Sequence, residues 1–196
     1  MKRKVFLVAA LFALMAVGVY AQTEADFTVR NSTDGKSTRI TKYNGSATVV
    51  KIPEKINNLP VTEINGFSMQ SNITSVTIPN SVTTIGENAF GMCWGITSII
   101  IPDSVTKIAR NAFNDCRGLT SITIGKGIKT IEEDAFNDCT NLTSVTFLNG
   151  FNMAGFNEYA FGELGDLRKK FFASSPFIGT AGTYTRPDGG TTWTKK

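Results

Sequence analysis

The stretch Ile101-Pro-Asp-Ser-Val-Thr-Lys-Ile-Ala-Arg-Asn-Ala-Phe-Asn-Asp-Cys-Arg-Gly-Leu-Thr-Ser-Ile-Thr-Ile124 decides how this chain folds, because its pieces return on both sides at one interval. Phe90, Phe113 and Phe136 are 23 residues apart, and so are Cys93, Cys116 and Cys139. Ile85, Ile108 and Ile131 keep the interval, as do Ala89, Ala112 and Ala135. A fixed period of this length marks a stacked repeat in which each unit is one coil of a solenoid.

Working outward from that unit, Ile73-Thr-Ser-Val76-Thr-Ile78 aligns with Ile96 to Ile101, Leu119 to Ile124 and Leu142 to Phe147. The apolar positions are the first, fourth and sixth, the L-x-x-L-x-L signature of a leucine-rich repeat. Side chains alternate along a strand, so the fourth and sixth share one face. The segment is rich in β-branched residues, which suits extended structure. Pro79 and Pro102 end the strand, because proline cannot donate to a ladder. A second extended piece is predicted over Val82 to Ile85, Val105 to Ile108 and Ile128 to Ile131. A short turn of helix is predicted next, tucking Phe90, Phe113 and Phe136 inside.

One coil cannot fold alone. Burying a large apolar side chain contributes about 1.5–3 kcal/mol, while ordering each residue costs about 1–2 kcal/mol of backbone entropy. Twenty-odd residues cost more than seven apolar side chains return, so stability is predicted to reside between coils.

The register extends backwards through Ile52-Pro53, Val61, Ile64 and Phe67, and forwards to Tyr159-Ala160-Phe161. Beyond it, Phe27 to Val29, Ser37 to Lys42 and Ala47 to Ile52 read as short strands. Gly182 to Arg186 and Thr191 to Thr194 flank Pro187-Asp-Gly-Gly190, a hairpin signal. Leu167, Phe171, Phe172 and Phe177 are expected in the core, with an adhesive aromatic patch as the alternative.

The first 21 residues read as a signal peptide: basic Lys2, Arg3 and Lys4, an apolar run from Val5 to Val19, and small residues before Gln22. Its removal takes Lys2, Arg3 and Lys4 with it, so the formal net charge falls from +4 to +1. No transmembrane segment is expected after cleavage. A nucleic-acid footprint needs a clustered basic surface on a basic domain, and nucleic acid is not an expected partner. The chain contains no histidine, which excludes Ser-His-Asp and Cys-His catalysis and His-containing zinc sites. No enzyme activity, catalytic residue, cofactor or metal is expected.

The three cysteines allow two readings. Stacked coils lie about 4.7–4.9 Å apart, within reach of a disulfide between Cys93 and Cys116 or Cys116 and Cys139. Their place behind a buried phenylalanine suits a column of buried thiols instead.

The unit Ile101 to Ile124 resembles the repeat of the BspA-like, treponemal-type leucine-rich repeat proteins. The likeness covers about residues 40 to 162, and the tail from Gly182 to Gly189 is similar to one seen in that class. The resemblance implies a secreted or surface protein and, in some members, adhesion. It brings no catalytic residues.

The expected fold is therefore a strand-rich α/β-type repeat solenoid. It is a right-handed leucine-rich repeat coil with a parallel sheet on the concave face and β caps at both ends. The expected organisation is a signal peptide over 1–21, an N-terminal β cap over 22–51, a solenoid of about five coils over 52–165, and a C-terminal cap with a β-hairpin over 166–196. The outward strand positions form the candidate partner-binding face: Ser75, Thr77, Ser98, Ile100, Ser121, Thr123, Ser144 and Thr146. The serine column is expected to point partly inward. The expected function is an exported binding or adhesion module for a protein or extracellular-matrix partner, at the cell surface, secreted or periplasmic. A structural envelope or spacer protein is the alternative.

Overall fold

The computed structural model describes residues 22–149, 155–162, 164–171, 173, 179–187 and 190–196. The proposed signal peptide, Phe172 and Phe177 lie outside the described residues.

The repeat builds a strand-rich solenoid whose coils have three sides. The first side carries the long strands β6 (Ser75–Thr77), β8 (Ser98–Ile101), β10 (Ser121–Ile124) and β12 (Ser144–Phe147). β8, β10 and β12 pair in parallel with no register slip, so Ile99, Ile122 and Val145 stand side by side. β6 runs beside β8 and pairs in parallel with β3 (Val49–Lys51). The second side carries β7 (Thr84–Ile85), β9 (Lys107–Ile108) and β11 (Thr130–Ile131), two-residue strands shorter than the pattern predicts. The third side is the Ala-Phe turn.

That turn is not helical, contrary to expectation. Asn88, Asn111 and Asp134 have φ of 52°, 55° and 55°, and Met92, Asp115 and Asp138 have φ of 60°, 58° and 55°. A left-handed residue every four positions interrupts the right-handed run that a helix needs. The turns form their own ladder: the amides of Phe67, Phe90, Phe113 and Phe136 donate to the carbonyls of Ala89, Ala112, Ala135 and Ala160 at 2.7–2.8 Å.

The ladder brings the rings into one internal file. Phe67, Phe90, Phe113, Phe136 and Phe161 stack with successive centroids 5.1, 5.2, 5.1 and 4.8 Å apart. Tyr43 adds a stacked ring above Phe67 at 5.2 Å, and Phe27 leans on both. All of these rings are buried.

The cysteines form the buried thiol column, with no disulfide. Cys93, Cys116 and Cys139 each donate S–H to the carbonyl of the phenylalanine one coil back, at 2.9, 3.0 and 3.1 Å to Phe67, Phe90 and Phe113. Burial, then the neighbouring Cys116, pushes the Cys93 thiol up to about 12. The Cys116 thiol is raised too, first by the adjacent Cys139 and then by burial.

At the N-terminal end, β1 (Phe27–Asn31) pairs antiparallel with β2 (Thr38–Tyr43), which joins β5 (Leu59–Ile64) and so the short-strand sheet. β4 (Lys55–Ile56) turns into β5 through Asn57 and Asn58, both left-handed at φ 51° and 64°. Two such residues make the turn whose twist matches a hairpin. At the C-terminal end, a short helix, Leu167–Phe171, buries Leu167 and Phe171. β13 (Gly182–Thr185) pairs antiparallel with β12, and β14 (Thr194–Lys195) pairs with β13. Arg186 is buried, with Nε donating to the Leu142 carbonyl at 2.7 Å and Nη2 to that of Thr140 at 2.8 Å. Trp193 packs 5.5 Å from that guanidinium and donates from Nε1 to the Leu164 carbonyl at 2.7 Å.

Candidate partner-binding face

The long strands alternate strictly. Val76, Ile99, Ile122 and Val145 point in and are buried, while their neighbours point out. The outward set is Ser75, Thr77, Ser98, Ile100, Ser121, Thr123, Ser144 and Thr146, all on one surface. The serines do not turn inward: Ser75 and Ser98 are exposed, because each lies two positions from an outward threonine or isoleucine.

The eight positions are not equivalent. Ser75, Thr77, Ser98 and Ile100 are exposed, whereas Ser121, Thr123, Ser144 and Thr146 are half-buried. β13 accounts for the C-terminal end, since Thr183 lies opposite Thr146 with their hydroxyls 2.9 Å apart. The accessible part of the face is therefore centred on β6 and β8.

A further threonine column serves the fold. Thr74, Thr120 and Thr143 donate from Oγ1 to the carbonyls of Thr48, Thr97 and Thr120 in the preceding coil, at 3.2, 2.9 and 3.3 Å. Their hydroxyls tie coil to coil, so a threonine ladder on the outside is partly structural.

Large apolar side chains break the polar pattern at a few places. Ile100 is 69% exposed, and the matching residues Thr77, Thr123 and Thr146 are polar. The same coil exposes Trp94 and Met92, while Met69 occupies the position of Met92 one coil earlier. The Trp94 indole donates to the Asp115 carboxylate at 3.3 Å, and Asp115 is held in turn by Arg117. Met69 and Met92 are left-handed at φ 64° and 60°, where later coils carry Asp115 and Asp138. Asn and Asp tolerate that backbone far better than methionine. Sequence periodicity alone did not single out Trp94, Met69 or Met92. Comparing the non-apolar positions of each coil would have found them, because these are the residues that depart from the repeat.

The repeat pattern matches the model of the BspA type leucine rich repeat region in six copies over residues 62–181, more than half of the chain. The chain belongs to this family. As a BspA-type leucine-rich repeat protein it is similar in structure to a T. pallidum leucine-rich repeat protein, at 23% identity and a TM-score of 0.54, over 63% of this chain and 70% of that one. It is also similar to a leucine-rich repeat protein from Bacteroides ovatus, at 26% identity and a TM-score of 0.51, over 64% of this chain. The match spans 41% of the Bacteroides ovatus chain. No curated protein matches this leucine-rich repeat chain. No helix among its described residues is long and apolar enough to cross a membrane.

Proposed function

We propose that this BspA-type protein is an exported, non-catalytic module that binds a protein or extracellular-matrix partner through its long-strand face. In this reading that face is the concave wall of a right-handed coil, residues 1–21 are a cleaved signal peptide, and residues 22–51 and 166–196 are caps. The observation that carries it is Ile100, 69% exposed in a column where the other coils place threonine. A repeat needs no apolar residue there for stability, and an exposed aliphatic side chain ringed by hydroxyls is one that a partner can desolvate as a central anchor. Family membership supports the same reading, because stacked repeats present extended surfaces.

The test is retention of purified matrix proteins on the immobilised chain, compared with a variant carrying Thr77→Glu, Ile100→Glu and Thr123→Glu. Loss of retention with an unaltered melting curve is expected. Retention equal to the parent would reject the face, and a parent chain that retains no matrix protein would favour a spacer role.

A further inference from the structure

The strongest unassigned chemistry lies on the other sheet, at its N-terminal edge. Ladder register sets Arg30 of β1 directly opposite Arg39 of β2. Cross-strand partners leave the same face, so two guanidiniums stand side by side, an arrangement that destabilises a ladder when nothing lies between them. Arg39 approaches Glu63 only to 4.0 Å, and Glu63 already accepts a hydrogen bond from Asn65 at 2.7 Å. Arg30 has no ion-pair partner among the described residues.

Both arginines line a cleft of about 390 Å³, with Glu63, Ser32, Thr38 and Thr62 among its walls. That volume falls in the range of small-ligand sites, roughly 300–1,000 Å³. The cleft opens where the β2–β5 register slips: Thr38 pairs with Val61 and Arg39 with Glu63, leaving Thr62 as the extra residue. A bulge of this kind re-aims side chains beside a site. Thr38, 1% exposed, brings a hydroxyl that has no hydrogen-bond partner. The nearby Asp34 is turned into the hairpin, accepting from Ser32 Oγ at 2.6 Å and the Lys36 amide at 3.0 Å, and does not line the cleft.

We propose that this cleft binds a monoanionic sugar unit, with its carboxylate or sulfate held between Arg30 and Arg39. Among the residues that line the cleft, two arginines against one glutamate leave a single positive charge. That matches a carboxylate or sulfate ester better than a phosphate monoester, which carries about −1.5 to −2 at neutral pH. Arginine forks suit the paired oxygens of such groups. The remaining walls are hydroxyl-bearing and suit a polyol. The site is separate from the long-strand face and stands or falls independently of it.

The experiment titrates the purified chain with glucuronate, galactose 6-sulfate and galactose at constant ionic strength, read by NMR chemical shifts. Saturable binding of at least one acid, with none of galactose, is expected, and the acid that binds identifies the anion. Arg30→Ala and Arg39→Ala should each weaken it at least tenfold, Glu63→Gln should tighten it, and Arg110→Ala should leave it unchanged. Arg30→Lys keeps the charge but not the fork, and should weaken it severalfold. Absence of saturable binding by either acid at millimolar concentration overturns the proposal. So does binding in Arg30→Ala, or in Arg30→Lys should the alanine variant misfold, that equals the parent.

Discussion

Phe113 lies on Phe136 with ring centroids 5.1 Å apart and planes within 3° of parallel. Each ring is fully buried and is held from behind by an amide bonded to the alanine carbonyl of the next coil. The file is thus a packing column and a hydrogen-bond column at once, with little freedom to repack around a gap.

Phe113→Ala should therefore cost about 3–5 kcal/mol, the range for a large aromatic removed from a core that relaxes only in part. Urea unfolding measures it. A midpoint equal to the parent's would mean the column collapses without penalty.

The thiols should be inert while the chain is folded. At pH 8 a thiol reagent should label none of Cys93, Cys116 and Cys139 without denaturant, and all three in urea, since only the accessible thiolate reacts. Rapid labelling in the native state would contradict the burial.

Alkali should weaken the fold. Cys93 titrates near 12 when folded and from an ordinary value of 9.0 when unfolded, so the folded state holds its proton more tightly. That contribution is intact below pH 9 and is lost as pH rises towards 12. Tyr184, raised chiefly by burial, adds to the same trend. Stability measured from pH 8 to 11 should fall, and less steeply in Cys93→Ala.

Ile100→Thr restores the ladder of its neighbours and should change stability by less than about 0.5 kcal/mol, as exposed substitutions usually do. Its effect should appear in partner retention alone. Met92→Asp should stabilise the chain by up to about 1 kcal/mol, because aspartate accepts the left-handed backbone at lower cost. Thermal unfolding of the two variants checks both.

The open edge of β3 is sealed by a side chain. Gln22 Nε2 donates to the Val49 carbonyl at 3.1 Å and its Oε1 accepts the Lys51 amide at 2.7 Å, the pattern of a neighbouring strand. Gln22→Ala should speed hydrogen exchange at the Lys51 amide on the order of fivefold, the equivalent of about 1 kcal/mol.

The central coils were legible because one period carried every buried column. The phenylalanine file, the inward isoleucines and the outward hydroxyls follow from counting by 23 and by two. The ends were less so. Tyr43 and Phe27 extend the file from strands outside the register, and their place depends on β2 joining β5. The Ala-Phe step reads as helix because alanine and phenylalanine are compatible with one. The left-handed residues that prevent it, Asn88, Met92, Asn111, Asp115 and Asp134, donate their amides to carbonyls of the neighbouring coil, a partner that the local sequence does not display. For the face, the columns were readable but their accessibility was not, since Thr183 and Thr185 arrive from a hairpin far along the chain. The Arg30–Arg39 pair needed a bulged register between Thr28 and Val29 that no spacing rule foretells.

Because Phe90, Phe113 and Phe136 each meet a phenylalanine above and below, an inserted copy of one 23-residue unit would find two surfaces already shaped for it. Such a chain can gain or lose whole units without redesigning any internal contact, so its length is free to vary while the outward positions of each coil change independently of the core.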